Sequence, residues 1–245
     1  MIEEYGPSTY GDSIAERYDD LYGGMFDVDA TVTLLAGYGR GGRALELGVG
    51  TGRIAIPLAE RGVEVHGVDS SEAMIAKLRA KPGGDRIQVT MGDFVDPPVE
   101  GPFDLVYVPF NTLFALTTQE EQVRCFANVA ELLAEEGVFV FDAFVPDPTR
   151  FDRHQRFAVE NIEAGEVTIE ATRNDPVAQR SVSYHLVISE AGIEMHPVVV
   201  RYAWPAELDL MARLAGLRSA ERWGSYSCDP FTSESQWHVS VYERA

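Results

Sequence analysis

From Arg43 onward, short apolar runs of strand length alternate with stretches whose apolar positions recur every three or four residues. The strand-like runs are RALEL, VEVHGVD, RIQVTMGD, FDLVYVP and VFVFDAF. Among them lie the helix-like RIAIPLAERG and SEAMIAKLRA, and a third helix that opens at Thr118, with Glu121 as capping-box partner, and runs to Gly137. Several of the runs are apolar throughout, as strands covered on both faces are. The pattern therefore predicts an α/β domain with a doubly wound, mostly parallel sheet. Pro57 falls within the opening turns of its helix, where amide donors lack intrahelical partners, so it shapes that helix without breaking it. Upstream, Ser13 and Glu16 form a capping-box pattern that predicts a helix over SIAERYDDLY, closed by Gly23 and Gly24. A second helical stretch is expected around Asp29 to Ala36.

Beyond Val145 the period drops to two. RFAVENI, EVTIEATRN, RSVSYHLVI and IEMHPVVVRYAW, separated by the turn signals EAG, NDPVAQ and SEAG, predict an antiparallel β insertion after the fifth strand. Pro205 then sits where a helix start accepts proline, AELDLMARLAG has helical spacing, and Gly216 stops it. LRSAERW and QWHVSVYER complete a seven-stranded sheet. The expected division is N-terminal helices over 1–40, a sheet domain over 41–146 and 205–245, and the β insertion over 147–204.

Charge narrows the partners. Of 245 residues, 39 are acidic and 20 basic, a formal charge of -19, so a polyanion meets repulsion rather than a counterion-releasing face. Nucleic acid and anionic membrane are excluded as expected partners. No run approaches the ~20 apolar residues of a span, and the opening MIEEYGPSTYGDS has neither a basic nor an apolar leader region. Cys125 and Cys228 are too few for a disulfide framework or a thiolate zinc cage. A soluble cytoplasmic protein is expected.

ALELGVGTGR, Ala44 to Arg53, carries the candidate chemistry. A glycine-rich turn from strand to helix lets a ligand approach the main chain and meet the amides that open the helix. Dinucleotides use G-x-G-x-x-G, whereas this stretch reads E-x-G-x-G-x-G over Glu46, Gly48, Gly50 and Gly52, which favours an adenosyl cofactor; a tight structural turn is the other reading. Asp69 closes the second strand, where a carboxylate accepts both hydroxyls of a ribose or caps a helix. Ser70 and Ser71 serve as caps equally well. GDF, Gly92 to Phe94, places an acceptor and an aromatic at the same edge of the sheet.

Taken in order, ELGVGTGR, GVDSS, GDF and FDLVYVPFNT resemble the class I S-adenosylmethionine-dependent methyltransferases over Arg43 to Phe144. The resemblance implies the Rossmann-like fold of those enzymes and S-adenosylmethionine as cofactor. It implies that Gly48, Gly50 and Gly52 wrap the amino acid part of the cofactor and that Glu46 helps hold its ammonium. Asp69, with Ser70 beside it, takes the ribose hydroxyls; Met74 and Phe94 cover the adenine, and Asp93 accepts its exocyclic amine. Arg53 faces the cofactor carboxylate or makes a salt bridge on its helix. More loosely, with a YD pair at Tyr18-Asp19 in a helix before the sheet and a β insertion after the fifth strand, the whole chain is similar to sugar-amine N,N-dimethyltransferases, which implies Tyr18 beside the transferred methyl and Tyr10 and Tyr22 along an acceptor cavity. A ring near a sulfonium is attracted to it; equally, Tyr18 and Tyr22 are spaced as a packing pair.

Methyl transfer from a sulfonium is an in-line displacement in which positioning supplies much of the rate, and a base matters only for some acceptors. His154, His185 and His196 lie in or beside the insertion. His185 and His196 sit within strands, so His154, in an expected loop, ranks first, with Tyr22 as second catalytic candidate. Asn111 is expected at the acceptor, because PFNT follows the fourth strand. Asn111 and Asp142 together supply two oxygen ligands without a third, so no metal is expected. The Asn/Asp-Pro-Pro-aromatic run of enzymes that methylate nucleobase or glutamine nitrogen is replaced by Val108-Pro109-Phe110-Asn111. The expected activity is methyl transfer to nitrogen or oxygen of a small molecule. A module that binds the cofactor but acts through protein contacts, and a nicotinamide-dependent oxidoreductase, are the alternatives. The exposed edge of the insertion suggests a homodimer.

Overall fold

The computed structural model describes residues 5–24 and 26–245. Seven strands form the main sheet: β1 (Arg43–Leu47), β2 (Glu64–Asp69), β3 (Gln88–Met91), β4 (Phe103–Val108), β5 (Leu133–Phe144), β10 (Leu217–Trp223) and β11 (Trp237–Arg244). Their order is β10-β11-β5-β4-β1-β2-β3, parallel except for β11, which runs antiparallel to both neighbours. The chain steps outward from β1 through β3 and then returns to β4 on the other side of β1. That reversal opens a crevice beyond the carboxyl ends of β1 and β4, where such sheets bind ligands.

Two apolar layers cover the sheet. On one face Leu45, Leu47, Val106, Val108, Phe139 and Phe141 meet the helices α6 (Gln119–Leu132) and α7 (Pro205–Leu214). On the other, Ala44, Leu105, Tyr107 and Val140 meet α3 (Val28–Gly39), α4 (Ala55–Glu60) and α5 (Glu72–Ala80). Successive residues of β1, β4 and β5 point to opposite layers, which is why those runs are apolar at every position. Among the described residues no helix is long and apolar enough to cross a membrane.

Between β5 and α7 lies a separate antiparallel sheet of β6 (Gln155–Glu163), β7 (Glu166–Asp175), β8 (Arg180–Ser189) and β9 (Gly192–Arg201), in that order. Its two faces invert the usual rule. The face toward the crevice carries Arg156, Glu170, Thr172, Ser183 and His185, with Ser183 and Thr172 buried. The outward face carries cross-strand rows such as Phe157, Ala171, Tyr184 and Pro197, then Val159, Ile169, Leu186 and Met195. On it Phe157 is 69% exposed, Ile162 72% and Ile193 66%.

Two sequence expectations require correction. The helix that opens at Thr118 has its capping box, with Thr118 Oγ1 accepting from Glu121 N–H at 3.1 Å and Glu121 Oε2 from Thr118 N–H at 3.0 Å. It ends at Leu132, however, and Gly137 lies inside β5. Pairing of Leu133 with Phe103 starts the strand early, and a Cβ on Gly137 would stand 2.7 Å from the Phe103 carbonyl oxygen. The N-terminal helix is two short ones, α1 (Thr9–Ile14) and α2 (Tyr18–Tyr22). Ser13 lies within α1 and its hydroxyl donates back to the Tyr10 carbonyl, while Glu16 reaches Lys77 of α5. Tertiary contact, not local capping, decides that segment.

Candidate active site

The loop after β1 turns through three glycines with positive φ, 76° at Gly48, 53° at Gly50 and 74° at Gly52. They serve different ends. Gly48 and Gly50 line a cavity of about 170 Å³, and the place of a Cβ on Gly50 is open. Gly52 does not line it: its Cβ would lie 2.8 Å from Leu78 Cγ, so this glycine lets α5 pack against the loop. Of the three glycines, Gly52 thus has a packing role that the sequence did not announce.

Asp69, at the end of β2, clasps the loop. Its Oδ2 accepts the Gly50 N–H at 2.7 Å and its Oδ1 accepts the Ser71 N–H at 2.8 Å. Burial raises its carboxyl above the ordinary value, against the pull of those amides. The cap of α5 is Ser71, whose Oγ accepts from Met74 N–H and donates to Asp12 Oδ1 at 2.6 Å, tying α1 across the opening. Ser70, Met74, Asp93 and Phe94 complete the wall of the same cavity.

Below the loop, Glu46 is buried in β1 and its Oε2 accepts the Tyr107 hydroxyl at 2.8 Å. Burial pushes its carboxyl up to about 8, with the Tyr107 bond opposing. It borders a hollow of about 20 Å³ shared with Gly48, Gly50, Arg53 and Tyr18. Arg53 is not on a helix surface. Its Nη1 donates to the Tyr22 carbonyl at 2.5 Å and its guanidinium lies 4.1 Å from the Phe110 ring centre and 5.3 Å from that of Tyr18. Its Nε is buried without a hydrogen-bond partner among the described residues.

A third cavity, about 370 Å³, lies between the N-terminal helices, the loop after β4 and the polar face of the insertion. Tyr10, Tyr18, Tyr22 and Asn111 all line it. Tyr18 and Thr112 border all three spaces, so they stand where the spaces meet. Burial pushes Tyr18 up to about 12. Tyr18 and Tyr22 also pack together at a tilt of 52°, ring centres 5.1 Å apart, so the packing role and the cavity role coexist.

Phe110 and Asn111 both adopt left-handed backbone, φ 62° and 61°, at a cost of about 1–2 kcal/mol each. Asp142 and Asn111 hold them there. Asp142 Oδ1 accepts from Phe110 N–H at 2.7 Å and from the Tyr226 hydroxyl at 2.5 Å, its Oδ2 accepts from Trp237 Nε1–H at 3.0 Å, and Asn111 Oδ1 accepts from Phe144 N–H at 2.7 Å. Both oxygen groups considered as metal ligands are therefore engaged with the loop and its neighbours. Burial pushes the Asp142 carboxyl up to about 6.

His154 does not line any of these cavities. It sits exposed in the tight turn that starts β6, with φ 68° and its carbonyl accepting from Asn174 N–H. The histidine in the wall of the larger cavity is His185, because the two-residue period of β8 sets it beside Ser183 and Ser181. Sequence reasoning also missed Thr112 and Phe110; their signal was position directly after β4, at the sheet's point of reversal.

Residues 44–137 match a family model described as a methyltransferase domain. The chain is 30% identical to the cypemycin N-terminal methyltransferase of a Streptomyces species, covering 97% of this chain and 98% of that one. The structure of the CcbJ methyltransferase from Streptomyces caelestis is 41% identical and superposes with a TM-score of 0.92 over 98% of this chain and 100% of that one. An S-adenosylmethionine-dependent methyltransferase from Clostridium acetobutylicum, 14% identical, shares the fold with a TM-score of 0.82 over 95% and 98%.

Proposed function

The chain belongs to the S-adenosylmethionine-dependent methyltransferases, and from that premise we propose that it methylates nitrogen or oxygen of a small organic acceptor held in the larger cavity. The observation that carries this reading is the shared wall: Tyr18 and Thr112 border both the cavity beside the glycine loop and the one roofed by the insertion. Nitrogen is favoured, since the full-length relative from Streptomyces is named for methylating an N-terminus.

The residues present fit the cofactor. The open place above Gly50 leaves room for a ligand against bare backbone, and the unpartnered Nε of Arg53 lies beside the hollow that Glu46 borders. Glu46 and Arg53 would hold the ammonium and carboxylate of its amino acid part, Asp69 the ribose, and Met74, Asp93 and Phe94 the adenine. When bound, the cofactor supplies an activated methyl on a cationic sulfur. Tyr18 presents a ring that favours that charge, Asp142 fixes the loop after β4, and α1, tied to Ser71 through Asp12, forms one wall of the cavity. Positioning does most of the work.

We assign 1–40 to a cover over the site, 41–146 with 205–245 to cofactor binding, and 147–204 to acceptor and dimer contacts. A homodimer is supported by the outward apolar face of the insertion rather than by its edge alone; a monomer mass by light scattering would refute it. Cytoplasmic location is supported by the two free cysteines, Cys125 and Cys228. To test the function, S-adenosylhomocysteine release is measured against a panel of amines, phenols and carboxylates. Turnover of at least one is expected; cofactor binding without turnover of any would leave the reading without support.

A further inference from the structure

We infer that His185 takes the proton from an alkylammonium acceptor, with Glu160 fixing its ring in the competent tautomer; the inference rests on the reading above of a small-molecule methyltransferase. Among the described residues, His185 is the histidine that lines the larger cavity. His66 bonds to Thr90 within the sheet, His154 is on the exposed turn, and His196 is 6% exposed with neither ring nitrogen hydrogen-bonded. Burial pushes His238 down to about 3.

The geometry selects one tautomer. His185 Nδ1 lies 2.8 Å from Glu160 Oε2. An ionised carboxylate only accepts, so Nδ1 carries the hydrogen and the lone pair of the neutral ring is on Nε2. Glu160 comes from β6, across the irregularity between Val159 and Asn161, while Glu170 of β7 and His196 of β9 stand directly opposite His185. Glu170 is already ion-paired with Arg156. Arg17, from the link between α1 and α2, is taken by Glu166 and Glu194. Glu160 is therefore left to balance an imidazolium.

His185 also shares its cavity with the tyrosines that reach the cofactor side. Tyr10 and Tyr22 line that cavity with His185, and Tyr10 also borders the cavity beside the glycine loop. The other acceptors nearby are poor bases. Burial holds the Tyr10 and Tyr18 hydroxyls protonated, and Asp147 is engaged by Thr149.

An alkylammonium has no lone pair to offer. Its proton passes from nitrogen to His185 Nε2, and the freed pair forms the N–C bond as the C–S bond breaks and sulfur keeps its electrons. The products are an N-methylammonium, a neutral thioether and an imidazolium, which returns its proton to water before the next turnover.

Two measurements test this. In the protein with S-adenosylhomocysteine bound, proton–nitrogen NMR of His185 at neutral pH is expected to place the hydrogen on Nδ1, and E160Q to shift that preference. Hydrogen on Nε2 in the unsubstituted protein would overturn the inference without any acceptor being needed. In turnover, H185Q is expected to lower kcat for ethylamine about 100-fold at pH 7, to lose the acidic limb of kcat against pH, and to bind S-adenosylhomocysteine as before. With trifluoroethylamine, largely unprotonated at that pH, the loss should shrink to about threefold or less. Equal losses for both amines, or none, would overturn it. Methylation of phenols or carboxylates but no amine would overturn it too while sparing the proposed function; failure to bind S-adenosylhomocysteine would instead strike at the function.

Discussion

Cofactor binding should expel a proton, and Glu46 is the reason. Burial lifts its carboxyl from 4.5 to about 8; at about 1.4 kcal/mol per pH unit, roughly 5 kcal/mol opposes its ionisation in the free protein. At pH 7 about nine-tenths of free molecules then carry the proton. An ammonium placed against Glu46 favours the carboxylate, so binding S-adenosylhomocysteine at pH 7 should release close to one proton, falling toward zero by pH 9. Calorimetry in phosphate and in Tris, whose ionisation enthalpies differ, reads that number directly. E46Q should abolish the buffer dependence and weaken binding roughly ten- to hundred-fold, the worth of a charged hydrogen bond. The same shift has a stability consequence. The folded value lies above the unfolded one, so this group's contribution is full below about pH 4.5 and is lost as pH rises through about 8. Between those limits E46Q should show a flatter dependence of melting temperature on pH. A binding enthalpy independent of buffer at pH 7 in the unsubstituted protein would refute the reasoning.

The glycines should separate by function. G50V pays the left-handed backbone strain of about 1–2 kcal/mol and fills the cavity, so calorimetry should find S-adenosylhomocysteine binding lost with only a modest fall in melting temperature. G52A forces a Cβ against Leu78 and should cost about 2–4 kcal/mol in thermal unfolding, with near-normal affinity in the molecules that fold. D142A leaves the donors of Phe110, Tyr226 and Trp237 without their acceptor, and thermal unfolding should register a loss of about 3 kcal/mol or more. Turnover should fall further than cofactor affinity in that variant; an unchanged melting temperature would show that Asp142 does not hold the loop.

The sheet domain was legible because its strands announce themselves twice, by continuous apolar runs and by the acidic or glycine residues that end them. The cavity beside the glycine loop was legible for the same reason: Gly48, Gly50, Asp69, Asp93 and Phe94 stand at or just beyond strand ends, in order. Two features were not. Gly52 looks like Gly48 and Gly50 in sequence, and only the approach of Leu78 from α5 reveals what it is for. Sequence alone ranks His154 over His185 because an expected loop exposes the one and a strand ordinarily makes the other structural. In the insertion the polar face of β8, with Ser181, Ser183 and His185, is the inner one, and alternation alone does not say which side will be covered.

The insertion's backbone ladder is its own: among the described residues β6 to β9 pair in sequence with one another and with no strand of the main sheet. Variation among its inward side chains thus leaves the register of β1, β2 and β4 untouched, and with it the clasp of Asp69 on the glycine loop. On the division of roles proposed above, grafting residues 155–201 from a relative should change the recipient accepted while S-adenosylhomocysteine affinity stays, provided the seams at Arg17–Glu166 and Gln122–Arg201 are kept.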